Sequence, residues 1–188
     1  MGPLTFTHLL PVVLLAACGS SMVAASAPDV VDALPADANA IDLDLGNKVR
    51  LVGYRFDAVA APGSTMQITF FWRREAPLDE SWLVYTHIVD DGTGVLNTTC
   101  RPGAGCEFTS GPHPSRWEQG KLHVDDQFYT VPLDTKGAEL TLYTGVAAPN
   151  PPGPWKPQPT LTVVGGPQDG ARRVFIGKIR TGLAAGSN

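Results

Sequence analysis

An adjacent pair of acids close to a histidine is the first set of side chains in this sequence that could do chemistry. Asp125 and Asp126 lie inside "LHVDDQFYT", directly after His123 and one valine. Two carboxylates beside an imidazole are able to hold Ca²⁺ or to act as an acid and a base. Two acids are unusual within a run of β-forming residues, so the alternative is structural: one of them caps a loop or pairs with Arg116.

A tryptophan in a polar loop is the second candidate. Trp117 stands in "PHPSRWEQG" next to Arg116, and its indole face is able to stack on the apolar side of a sugar ring. The alternative, which we favour, is that Trp117 packs as a plug at the open end of the fold. Trp155, in "PNPPGPWKPQP", is expected to be the better exposed of the two, because prolines hold a loop extended at low entropic cost.

Three common catalytic motifs are absent from the sequence. It contains no Gly-x-Ser-x-Gly elbow, no His-Glu-x-x-His and no phosphate-binding glycine loop. His87 alternates in phase with Leu83, Tyr85 and Val89, so we expect its ring to pack within the fold. The sequence therefore predicts no catalytic residue, no cofactor and no metal site.

The N-terminal stretch "LLPVVLLAACGSS" indicates where the protein acts. Its apolar run from Leu9 to Ala17 would extend only about 13 Å as a helix, against a hydrocarbon core of about 30 Å. A short apolar run followed by small residues is typical of a secretory signal. The residues "LAAC", ending in Cys18, resemble the lipobox of bacterial lipoproteins, which are cleaved before the cysteine and acylated on it. The resemblance implies a signal peptide over residues 1–17, and Gly19 after the cysteine is compatible with the outer membrane.

Composition and charge divide the remaining chain. Residues 19–40 are rich in Ala, Ser and Asp and contain no aromatic residue, and such a segment buries too little apolar surface to offset its ordering entropy. We therefore expect a lipid-anchored flexible tether over 18–45, a folded domain over 46–182 and a disordered tail over 183–188. From Lys48 onward fourteen basic residues stand against thirteen acidic ones, a net charge of +1. That balance argues against the concentrated basic face of a nucleic-acid binder.

The two other cysteines enclose a tight turn. Cys100 and Cys106 flank "RPGAG", whose proline and glycines favour a turn, and exported proteins lie where disulfides persist. We expect a Cys100–Cys106 disulfide. The alternative is a metal pair, which would need His87 and His113 to converge through folding alone.

A period of two runs through most of the sequence from residue 48 to residue 180. Met66, Ile68, Phe70 and Trp72 alternate with polar residues, as in a half-buried strand. Gly and Pro clusters separate such runs, and no segment carries a helical stripe. The pattern predicts an all-β fold: a single antiparallel β-sandwich, immunoglobulin-like or jelly-roll-like, of about eight strands. The strands are expected at Val49–Phe56, 65–73, 82–90, Val95–Cys100, Lys121–Val131, Glu139–Ala147, Thr160–Val164 and Arg173–Arg180.

Five short stretches also resemble a known domain. In order they are "GNKVRLVGYRF", "TFFWR", "VYTHIVD", "PSRWEQGKLHVDD" and "LYTGV", and they are similar to an extracytoplasmic β-sandwich of bacterial envelope proteins. That domain is often attached to membrane glycosyltransferases of the dolichyl-phosphate-mannose-transferase type. The resemblance implies a β-sandwich, an envelope setting and a link to glycans, and it carries over no catalytic residue. The matching positions are Gly53, Tyr54, Trp72, His87, Pro114, Trp117, Gly120, Val124, Asp125 and Gly145.

The sequence therefore favours a lipid-anchored, non-enzymatic β-sandwich that acts by binding in the cell envelope, at the outer membrane. Its expected partners are the membrane, through acylated Cys18, and a protein of an envelope assembly in which it is an accessory subunit. The alternative is a carbohydrate-binding module for cell-wall or surface polysaccharide, with Trp117 and Trp155 as stacking residues. An enzyme ranks third, and nucleic acid is not an expected partner.

Overall fold

Two antiparallel sheets make up the regular structure of the computed structural model, which describes residues 30–78, 82–94, 113–148, 159–168, 170 and 172–182. In these ranges the only helical element is a short 3-10 turn at Pro114–Arg116. The strands are β1 (Val30–Val31), β2 (Asn39–Leu45), β3 (Val49–Phe56), β4 (Thr65–Arg74), β5 (Leu83–Asp90), β6 (Leu122–Thr130), β7 (Glu139–Ala147), β8 (Val163–Val164) and β9 (Val174–Arg180). One sheet has six strands in the order β1-β6-β4-β3-β2-β8, and the other has three in the order β5-β7-β9.

Alternating apolar residues bury one face of each sheet against the other. On β4, Met66, Ile68, Phe70 and Trp72 are at most 3% exposed, as the period of two predicts. Full burial of a side chain of this size contributes roughly 1.5–3 kcal/mol, so this shared core is what holds the two sheets together. The predicted all-β sandwich is confirmed. From the three-stranded sheet, the core receives Val84, Ile88, Leu140, Leu142, Val146, Val174, Ile176 and Ile179.

Seven of the eight predicted strands have a counterpart in the structure. Their ends agree within one residue except at Thr160–Val164, where the strand is limited to Val163–Val164. The eighth prediction, Val95–Cys100, lies outside the described residues. Both strands that the sequence did not predict, β1 and β2, precede Gly46.

The predicted tether over 18–45 is wrong from Val30 onward. β2 lies within the six-stranded sheet, paired with β3 on one side and with β8 on the other. Leu43 and Leu45 on this strand are buried in the core. The structured domain therefore includes residues 30–45 and does not begin at residue 46.

Residues 30–38, which we call the N-terminal strap, run across the outer face of the six-stranded sheet from β1 to β2. β1 pairs with β6, three strands away from β2. Leu34 of the strap lies so close to Gly53 that a Cβ at that position would be 2.6 Å from its Cδ1. The cross-strand partner of Gly53 is Phe71. Phe70 and Trp72 point into the core, so Phe71 between them points to the outer face, and it is nevertheless buried. The strap therefore covers an apolar part of the sheet's outer face.

Candidate functional site

The inner face of β6 is polar, although it faces the core. Because successive side chains of a strand point to opposite faces, His123, Asp125, Gln127 and Tyr129 point inward, and each is at most 5% exposed. The neighbouring residues on β4 are large and apolar. Burial of polar groups costs free energy unless they are hydrogen-bonded, so the partners of this row determine what it is able to do.

Only part of the row is hydrogen-bonded. His123 Nε2 lies 3.1 Å from the carbonyl oxygen of Glu118, and Gln127 Nε2 donates to Asp125 Oδ2 at 2.8 Å. Of the buried atoms that have no partner among the described residues, four lie on the inner face of β6 or on β4 beside it: Trp72 Nε1, Asp125 Oδ1, Gln127 Oε1 and the Tyr129 hydroxyl. We call Trp72, Asp125, Gln127 and Tyr129 the buried polar row. Unmatched donors and acceptors close together are the arrangement that an internal water satisfies.

Burial changes the acid–base chemistry of this row. Desolvation raises the pKa of Asp125 to about 7, against the opposing effects of Gln127 and Trp72. The indole of Trp72 has this effect although it falls short of hydrogen-bond geometry with any described residue. Desolvation also raises the pKa of Tyr129 to about 12. Asp125 is thus able to exchange a proton near neutral pH, but its enclosure keeps it from bulk solvent.

Trp117 closes this polar row from one end. The 3-10 turn at Pro114–Arg116 is held to β4 because Arg74 Nη1 donates to the carbonyl oxygen of Ser115 at 2.9 Å. Trp117 follows the turn and is 3% exposed. Its ring centroid lies 6.2 Å from that of Trp72 and 5.4 Å from that of His123, stacked with both. Trp117 therefore packs inside the fold, as the favoured alternative predicts, and its indole face is not open to a sugar ring.

The predicted acid pair does not converge. Asp125 points into the core, whereas Asp126 points to the outer face and accepts hydrogen bonds from Gln67 Nε2 at 2.8 Å and Thr69 Oγ1 at 2.6 Å. Adjacent residues in a strand diverge in this way, so a joint Ca²⁺ or acid–base site at Asp125 and Asp126 is wrong. Arg116, the suggested partner, is exposed. Within the described ranges no three His, Cys, Asp or Glu side chains are grouped as a metal site.

The expectation that His87 packs within the sandwich is also wrong. The inward residues of β5 are the even-numbered ones, so His87 lies half-buried on the outer face of the three-stranded sheet. There it is 4.8 Å from the ring of Tyr85 and 3.2 Å from Arg173 Nη1. Trp155, Cys18, Cys100 and Cys106 lie outside the described residues, and their roles stay predictions.

The outer side of β6 carries a second feature, which the sequence analysis did not identify. β1 pairs only with Leu122 and His123. Among the described residues, no strand pairs with β6 on that side from Val124 to Thr130, and we call this segment the β6 edge. Phe128, in the middle of the β6 edge, is 62% exposed. A large aromatic side chain beside unpaired backbone is a typical interaction surface.

No family model, no curated protein and no solved structure matches the chain. Over the described ranges, no helix has the length and apolar character that a membrane span requires. The function is therefore inferred from the geometry of β6 and the features around it.

The Trp117→Ala substitution tests the packing arrangement of that side chain. We expect it to lower the free energy of unfolding by about 3 kcal/mol, because it leaves a cavity between Trp72 and His123. In a domain of this size the melting temperature should fall by roughly 10 °C, which thermal unfolding followed by circular dichroism measures. Arg116→Ala, on the adjacent exposed residue, is the control and should change stability by less than about 0.5 kcal/mol. A stable Trp117→Ala variant would contradict the packing role.

Proposed function

We propose that this protein is a lipid-anchored accessory protein of the cell envelope that binds a partner protein at the β6 edge, around Phe128, and performs no catalysis. The exposure of Phe128 on an edge without a described partner strand is the observation that carries the proposal. Natural proteins usually protect such edges with charged side chains, above all lysine, with proline or with a bulge. The outer-face charge of this segment, on Asp126, is directed to Gln67 and Thr69 of β4. Residues 124–130 contain neither lysine nor proline, and β6 pairs with β4 over nine consecutive residues without a register shift.

The anchor is proposed from the "LAAC" sequence and changes with the new domain boundary. If Cys18 is acylated, two or three acyl chains give stable attachment where one is marginal. Since β1 begins at Val30, only residues 19–29 separate the anchor from the domain. A flexible chain of that length has a root-mean-square reach of about 20 Å. The partner is therefore expected to be a membrane protein or a protein held close to the membrane.

Site-specific crosslinking from intact membranes tests this function. A photoreactive phenylalanine analogue is placed at Phe128 and, as the matched control, at Val164, which is 51% exposed on β8 at the opposite edge of the same sheet. We expect one discrete envelope-protein adduct from position 128 and none from position 164. Phe128→Lys, tested by co-purification with the protein identified in that adduct, should lower its recovery at least fivefold, because an ammonium group replaces the apolar contact.

Other outcomes of the same experiment separate the alternatives. Equal adducts from positions 128 and 164, or none, would contradict the proposed function. Saturable binding of cell-wall polysaccharide without any protein adduct would favour the carbohydrate-binding alternative. A Cys18→Ser variant should move from the membrane fraction to the soluble fraction or remain uncleaved, and an unchanged distribution would remove the anchor from the proposal.

A further inference from the structure

The hydrogen bonds of β6 define which of its backbone groups face the open side. The amide of Val131 donates to the carbonyl oxygen of Ser64 at 3.0 Å, and its carbonyl accepts from the amide of Gly63 at 2.8 Å. Both backbone groups of Val131 therefore point toward the β4 side. Alternate residues of an antiparallel strand face the same neighbour, and the register between β4 and β6 has no shift. The even-numbered residues from Val124 to Thr130 consequently direct their N–H and C=O groups away from β4.

β1 lies on the side of β6 opposite β4 and reaches only the beginning of the strand, where Val31 and Val30 are the cross-strand partners of Leu122 and His123. Four outward positions follow, at Val124, Asp126, Phe128 and Thr130, and no strand among the described residues pairs with them. They repeat every second residue, about 6.7 Å apart along the strand.

An extended polypeptide is the ligand that matches such a row. Donors and acceptors that alternate at the strand repeat are satisfied by another strand, which also contacts alternate side chains. On the outer face that strand would lie beside Phe128 and beside Thr130, whose hydroxyl is within 2.8 Å of that of Thr65. Aromatic and β-branched residues are favourable neighbours for such side chains. An acid opposite Asp126 would be repelled, so the strand is expected to carry none there.

We infer that the partner protein contributes an extended segment, free of acids opposite Asp126, that adds to the six-stranded sheet along the β6 edge. The inference rests on the proposed function and specifies its mode of recognition. Main-chain hydrogen bonds to Val124, Asp126, Phe128 and Thr130 provide affinity, and the contact with Phe128 provides selectivity. With the added strand, β6 is paired along its whole length on both sides, with β4 on one side and with β1 and the partner's segment on the other.

Amide hydrogen exchange of the isolated protein is the first test. The amides of residues 124, 126, 128 and 130 should exchange about 100-fold faster than those of residues 125, 127 and 129, because only the latter are bonded to β4. Equal protection of both sets would overturn the inference, since the edge would already be covered by the chain itself. In the complex isolated through the adduct at position 128, the even-numbered amides should become protected.

Two substitutions at one position separate backbone from side-chain recognition. Thr130→Pro removes the outward N–H at the end of β6, where a proline costs the β4 ladder nothing, whereas Thr130→Val keeps it. We expect Thr130→Pro to lower partner recovery at least fivefold and Thr130→Val to change it less than twofold, with melting temperatures confirming that both fold. If Thr130→Pro binds as well as wild type while Phe128→Lys does not, strand addition is overturned and the proposed function stands. If the photoreactive group at position 128 captures no protein, both are overturned.

Discussion

A chain that begins at Gly46 is expected not to fold, although the sequence alone places the domain boundary there. Such a chain lacks β1 and β2, and with them the buried side chains of Leu43 and Leu45. Loss of each buried leucine side chain costs about 2–5 kcal/mol, and the total stability of a domain is about 5–15 kcal/mol. The missing strand also leaves β8 without its partner in the sheet and leaves β3 paired on one side only, with β4.

The matched control is a chain that begins at Met22. It lacks Cys18 but retains every described strand, so it should unfold cooperatively in urea, whereas the chain from Gly46 should show no cooperative transition. A third chain, beginning at Asn39, keeps β2 and loses the N-terminal strap that covers Phe71. It should fold with a lower denaturation midpoint than the chain from Met22. Cooperative unfolding of the chain from Gly46 would contradict the placement of β2 in the sheet.

The missed strand shows where composition misleads. The sequence "NAIDLDL" alternates apolar residues with acids, which is the pattern of a half-buried strand. The acids of this segment make its composition resemble that of a tether. In the structure their charges are paired, because Arg50 on β3 lies 2.9 Å from Asp42 and 3.4 Å from Asp44. Asp42 also adopts a left-handed conformation, with φ of 54°, where the register with β3 shifts. Burial still alternates from Ile41 to Leu45, so the period of two was present in the sequence and its acidic composition concealed it.

The longer strands were predictable because their alternation is strong. Val49–Phe56 and Glu139–Ala147 have the bounds that the sequence predicts. The spacing of apolar residues along the chain is enough to predict such a strand, without knowledge of which strands pair with it.

The site was less predictable because it depends on how strands pair. Trp117 is buried by Trp72 and His123, which lie on two different strands, and no local pattern indicates that contact. Likewise, the β6 edge exists because β1 covers only Leu122 and His123, a consequence of topology. The sequence shows that β6 has a polar face, formed by His123, Asp125, Gln127 and Tyr129. It does not show that this face points into the core.

Stability should decrease as pH rises from about 4 to about 7, through the titration of Asp125. Its pKa changes from the ordinary value of 3.8 to about 7 on burial, so between these values the folded protein retains a proton that the unfolded chain releases. The free energy of unfolding therefore falls as the pH rises, and the loss of stability reaches its full value above pH 7. Because a tenfold change in proton affinity corresponds to about 1.4 kcal/mol, this loss amounts to about 4 kcal/mol.

Asp125→Asn isolates this effect because an amide of the same shape has no proton to lose. We expect the variant to approach the stability of wild type near pH 4 and to exceed it by about 4 kcal/mol at pH 8.5. Urea unfolding at several pH values gives the difference between the two proteins, in which contributions from the other acids cancel. Asp126→Asn, whose side chain lies on the opposite face of β6, controls for the loss of one charge. Parallel pH profiles for wild type and Asp125→Asn would mean that Asp125 is ionised in the folded protein, and hence that solvent or a cation reaches the buried polar row.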